Sequence, residues 1–232
     1  MAVMTTPRRG QTSIRGALTR LDAALSRLAG EQDEWTDMRV PVQMLAGTPP
    51  GRVIYLTKST WMEMCDGWGT LDGGRTSLFT RYGIVPGVYA DVVRREMARM
   101  RAKKLAVVGD LDPLDLTVLL SLQCGGIEET ARPGSIPVRW LGVRDQWLSA
   151  CDRALGSKGS VWATVTMNAF EVEHWRRLEA LGISWEAIIG SRSVALLRAG
   201  KKVELEGASN PSIYGRPFLA KVRRLGGLEP RP

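Results

Sequence analysis

Apolar and polar positions along this chain follow two rhythms. Ile14, Leu18, Leu21, Leu25 and Leu28 fall three or four apart and predict an amphipathic helix over residues 13–30. Thr48-Pro49-Pro50-Gly51 then breaks the chain. Short runs rich in β-branched and aromatic residues follow, RVIYLT (52–57), 77–81, LAVV (105–108) and PVRWL (137–141), and each reads as a strand. Elsewhere the helical period returns and predicts helices over 60–68, 89–103, 114–123, 147–155, 169–181 and 184–197. The glycine-rich stretch up to Arg75 reads as a loop and 82–87 as a turn. Strand alternating with helix predicts an α/β fold, a parallel Rossmann-like sheet with helices on both faces. Residues 1–50 read as an N-terminal helical extension with a disordered start at 1–12, residues 52–224 as the domain, and 225–232 as a basic flexible tail.

The chemistry changes abruptly where the strand at 105–108 ends. Gly109 is followed by Asp110 and Asp112, then Pro113 and a second apolar run. The carboxyl end of a parallel strand is where open α/β sheets bind ligands. Side chains two apart on an extended segment point to the same side, so the two carboxylates should meet. Their repulsion would be relieved by a hard cation such as Mg²⁺, or Mn²⁺, which takes oxygen ligands. The same spacing also suits a helix start, with one aspartate capping the next helix and the other solvated. Asp115 divides in the same way. It is either a third carboxylate for the cation or a first-turn residue favoured by the helix dipole.

Composition narrows the partners. A chain of 232 residues with 44% hydrophobic content can build one large packed domain. No apolar stretch has transmembrane length and the first residues lack a signal-peptide core, so a cytoplasmic protein with no membrane partner is expected. Cys65, Cys124 and Cys151 are widely spaced and odd in number, which fits a reducing compartment without disulfides. The lone histidine, His174, is expected on a half-exposed helix face and excludes a two-histidine site. The eight tryptophans are expected mainly in the core or lining grooves.

The formal net charge of +8 and pI of about 9.8 favour an acidic partner, of which nucleic acid is the commonest. General solubility is the competing explanation. The charge is not evenly spread: Arg94, Arg95, Arg99, Arg101, Lys103 and Lys104 crowd the segment before the aspartates.

Several segments, in order, resemble the Toprim half of topoisomerase VI A subunits and the related meiotic double-strand-break proteins. VIYLTKSTWMEM (53–64) resembles that family's first strand and helix, and LFTRYGIVPGVYADVVR (78–94) its second strand and turn. GDLDPLDL (109–116) is similar to its Asp-x-Asp-Pro-x-Gly, and VRWLGVRD (138–145) to its Trp/Tyr-Leu-Gly-Leu…Asp element. LLRAGKKVELEG (196–207) resembles its closing helix. The likeness spans about residues 52–224. It implies a Toprim-like fold in which Asp110 and Asp112, with Asp115 as a possible addition, hold Mg²⁺. It also implies Lys58 at a phosphate, and Arg81, Arg94, Arg95, Lys201 and Lys202 along the DNA path. Strand cleavage or topoisomerase-like processing would then need a partner chain supplying a winged-helix tyrosine or an ATPase, and a homodimer fits the same family.

Three departures set the alternatives. Thr57 stands where the family has its metal-binding glutamate, with Glu63 the nearest substitute. Asp115 replaces the glycine after the Asp-Pro. The first fifty residues, with one clear helix and no tyrosine, do not make a winged-helix domain. A metal-dependent nuclease or topoisomerase-like subunit is one expectation, and a catalytically degenerate module for DNA docking or complex assembly is the other. A phosphotransfer α/β domain ranks behind both, because neither a P-loop nor a Gly-x-Gly-x-x-Gly accompanies the aspartates.

Overall fold

The computed structural model describes residues 42–59, 62, 74–81, 83–126, 136–158, 161 and 163–205. The helix expected over 13–30, Glu63, most of 60–68 and the tail at 225–232 lie outside the described residues.

Strands β1 (Gln43–Leu45), β2 (Arg52–Leu56) and β3 (Thr76–Thr80) are followed by helix α1 (Gly87–Arg99), strand β4 (Leu105–Val108), helix α2 (Pro113–Cys124) and strand β5 (Val138–Trp140). Then come α3 (Asp145–Leu155), β6 (Thr164–Thr166), α4 (Ala169–Glu179), α5 (Trp185–Ile189), α6 (Ser191–Arg198) and β7 (Lys201–Val203). The five-stranded sheet has the order β1-β3-β2-β4-β5, and β6 and β7 form a separate antiparallel pair. The α/β class and the four expected strands are present. The sheet is mixed rather than wholly parallel, because β2 pairs parallel with β3 while β1 adds antiparallel at the edge. Gln43-Met44-Leu45 is exposed and carries no buried face, so periodicity gave no sign of this strand.

The described residues fall into two compact units, one from positions up to 107 and 116–139, the other from 108–115 and 140 onwards. In the first, Val53 to Leu56 and Leu78 and Phe79 are fully buried, the continuous apolar pattern of interior strands. Helix α1 buries Ala90, Val93 and Met97 at helical spacing and packs on β2. It ends four residues before the sequence reading had it. The Ala102 amide bonds to the Met97 carbonyl at 2.9 Å and the Arg101 amide to that of Ala98 at 3.1 Å, with Arg101 at φ 55°. That is a Schellman ending with arginine in the place glycine usually takes. Helix α2 is buried on all sides from Asp115 to Cys124, which explains its unbroken apolar run.

In the second unit, α6 touches α3, α4, α5 and β7. The helix expected over 184–197 is two helices, because Gly190 sits at φ 97° between them. A Cβ on Gly190 would lie 2.2 Å from the Asp145 carboxyl carbon. That carboxylate accepts from the Ser193 amide at 2.8 Å, the Arg192 amide at 3.2 Å and the Ser193 hydroxyl at 2.9 Å, capping α6 from a distant helix. The expected closing helix over 196–207 is corrected too: α6 stops at Arg198, and Lys201–Val203 pairs with β6 as a strand. His174 is buried rather than half-exposed, and Trp140, Trp147, Trp175 and Trp185 lie in the core. The rings of Trp175 and Trp185 are 5.8 Å apart. Cys124 and Cys151 are buried and not in a disulfide.

Candidate functional site

The three aspartates after β4 are gathered in one turn, each with a defined bond. Asp112 precedes the first residue of α2, and its Oδ1 accepts from the Leu114 amide at 2.8 Å. This is an N-cap, and Pro113 at the first helical position has no amide needing a partner. Asp115 turns back, and its Oδ2 accepts from the Asp110 amide at 2.6 Å. Asp110 is buried and its Oδ1 accepts from the Leu205 amide at 2.7 Å.

A backbone bridge sets the rest of the site. Leu111 and Val203 exchange antiparallel hydrogen bonds of 3.0 and 3.2 Å. That register puts Asp112 opposite Lys202, so their side chains meet as a cross-strand pair. Lys202 Nζ lies 3.3 Å from Asp112 Oδ2, 2.7 Å from Glu171 Oε1 and 3.5 Å from Glu204 Oε1. Glu171 is held by a capping box at the start of α4. Its amide donates to Asn168 Oδ1 at 2.9 Å and its Oε2 accepts from the Asn168 amide at 2.8 Å.

Gly142 fixes the other side of the aspartate turn. A Cβ there would lie 2.3 Å from the Gly109 carbonyl oxygen and 2.7 Å from its nitrogen. Only glycine lets the two backbones come so close. The Val143 amide then bonds to the Gly109 carbonyl at 3.0 Å, and the Trp140 indole donates to the Val143 carbonyl at 3.0 Å.

Burial pushes the Asp112 carboxyl above the usual aspartate range, the Lys202 charge and the Leu114 amide pull it back, and Glu171 adds to the rise. Burial also works against the Lys202 ammonium, but the hydrogen bonds and charges of Glu171 and Asp112 outweigh it and hold its pKa above the usual lysine value. The charged pair is the form this geometry favours, because the ammonium has two carboxylate oxygens within 3.3 Å.

The carboxylates as arranged do not fit a divalent cation. Asp110 Oδ1 and Asp115 Oδ2 are each engaged by a backbone amide, and both oxygens of Asp112 and of Glu171 have donors. Among the described residues no group of three His, Cys, Asp or Glu is placed to hold a metal.

The expected nucleic-acid residues divide. Lys58 is half-buried just after β2, beside the buried Thr57. Arg81 is buried after β3, donates to the Ile84 carbonyl and stacks 5.3 Å over the Tyr89 ring. Arg94 pairs with Asp91 on α1, and Arg95 is exposed. Lys201 donates to the Thr166 hydroxyl at 2.7 Å, and Lys202 is in the acidic cluster. Lys58, Arg81, Arg94 and Arg95 belong to the first unit, and the aspartates, Lys201 and Lys202 to the second. Sequence reasoning missed Glu171 and Glu204, although the Asn168-x-x-Glu171 spacing of a capping box was legible.

Fold and site together define an α/β protein with a mixed sheet and a lysine-centred acidic cluster beyond β4. No family model matches the chain, and no curated protein matches it. No helix among the described residues is long and apolar enough to cross a membrane.

Proposed function

We propose that this chain is a Toprim-like DNA-docking or complex-assembly subunit whose acidic cluster is neutralised from within. One observation carries the reading: Lys202 Nζ stands between Asp112 and Glu171, where a catalytic site would need open carboxylates. The net charge of +8 and the exposed Arg95 on a basic helix support nucleic acid as the partner. Docking on phosphate releases counterions, so affinity falls steeply with salt.

A second reading is Mg²⁺-dependent strand cleavage with a partner chain. It rests on Asp110, Asp112 and Asp115 falling in one turn after a sheet strand, and it requires their present amide and lysine partners to be displaced. Incubation with supercoiled plasmid, with Mg²⁺ or Mn²⁺ and then with chelator, separates the two. Retarded DNA that is indifferent to chelator and to Asp110→Asn supports docking. Metal-dependent nicking that disappears in Asp110→Asn and Asp112→Asn supports cleavage. No retardation at low salt, or retardation that ignores salt, removes DNA docking by this chain.

A further inference from the structure

Lys202 is surrounded by carboxylates from separate pieces of chain: Asp112 at the start of α2, Glu171 in the first turn of α4, and Glu204 beyond β7. The Lys202 and Asp112 side chains are each 15% exposed and that of Glu171 18%. Three acids around one ammonium leave the cluster formally negative, a setting in which carboxylates ordinarily gather a hard cation. Here the cation among them is the ammonium itself, with Nζ 2.7 Å from Glu171, 3.3 Å from Asp112 and 3.5 Å from Glu204. The ammonium is also delivered in place, because the Leu111–Val203 bridge fixes the register of its strand.

We propose that Lys202 is the resident cation of this cluster, and that its ammonium and a divalent ion are mutually exclusive occupants. The native chain then takes no divalent ion at Asp112. Removing the ammonium leaves Asp112, Glu171 and Glu204 mutually repelling and turns them into ligands. The inference deepens the docking reading and rests on it for the claim that the cluster is not a working metal centre.

The test measures Mn²⁺ uptake by the full chain, from the resonance signal of the free ion, together with thermal melting. Native protein and Lys202→Arg, which keeps the charge, are expected to leave the free Mn²⁺ signal unchanged. Lys202→Met is expected to take up about one ion per chain. Its melting temperature should lie several degrees below native in chelator and recover with Mn²⁺. Adding Asp112→Asn to Lys202→Met should abolish the uptake. The proposal is overturned by native protein that binds Mn²⁺ and loses it in Asp112→Asn. It is equally overturned by Lys202→Met protein that is destabilised, or unfolded, to the same extent with and without Mn²⁺. DNA retardation by the native samples reports on the docking reading separately, since it can fail while the Mn²⁺ results stand.

Discussion

The Leu205 amide donates to Asp110 Oδ1 at 2.7 Å across ninety-five positions of sequence. This bond ties the turn after β4 to the chain beyond β7, and it gives a buried carboxylate a structural task. Asp110→Ala leaves a buried amide without its acceptor, at a cost of about 1–3 kcal/mol. The urea midpoint should fall accordingly, in the presence of chelator as much as in its absence. An Asp110→Ala protein as stable as native would show that the bond contributes nothing.

Gly142→Ala should be more damaging than its size suggests. The added methyl meets the Gly109 backbone, which cannot swing away, and the buried Trp140 ring as well. The aspartate turn must shift, and a loss of roughly 2 kcal/mol or more is expected. Weakened protection of the Val143 amide in hydrogen exchange would locate the damage at its bond to the Gly109 carbonyl.

His174 makes stability depend on pH. Burial, helped by the Arg177 charge, pushes its pKa down to about 3. Its unfolded value is near the ordinary 6.5, so between these limits the unfolded chain binds the extra proton and stability falls as pH falls. The contribution from this residue between pH 6.5 and 5 is about 2 kcal/mol. Denaturant melts at the two pH values should show it, and His174→Leu should flatten the difference. An unchanged difference in that variant would assign the acid sensitivity to other groups.

The arginines expected on a DNA path should separate by exposure. Arg95→Ala should leave stability within about 0.5 kcal/mol of native while lowering the salt slope of DNA binding by about one. Arg81→Ala removes a buried guanidinium that bonds the Ile84 carbonyl and stacks on Tyr89, and should cost about 3 kcal/mol. A loss of DNA binding in Arg81→Ala without loss of stability would make that residue a contact after all.

Much of the fold was legible because its carriers are local. Val53 to Leu56 and Leu105 to Val108 are apolar runs bounded by breakers, and they form strands wherever the chain takes them. The aspartate turn was legible as a place, and of the helix-start reading the cap at Asp112 is present, whereas Asp110 is buried rather than solvated; the Lys202 ammonium beside Asp112 was in neither reading. Local pattern was silent on β1, which has no buried face, and on β6 and β7, which are three residues each. The family resemblance, not the local pattern, placed Lys201–Val203 in a helix. The strand there exists because Val203 pairs with Leu111 on one side and Thr164 on the other, partners far away in sequence.

The sequence alone determined the alternation of strand and helix, the acidic turn at Asp110 to Asp115 and the basic balance of the chain, since each depends on residue type and near-neighbour spacing. What the acids do was decided by tertiary structure. The register of one bridge brings Lys202 to Asp112, and the start of α4 brings Glu171 to the same ammonium. A carboxylate's chemistry depends on which donors reach it, and two of the donors here, Lys202 to Asp112 and the Leu205 amide to Asp110, come from ninety and ninety-five residues away, beyond anything a local pattern encodes.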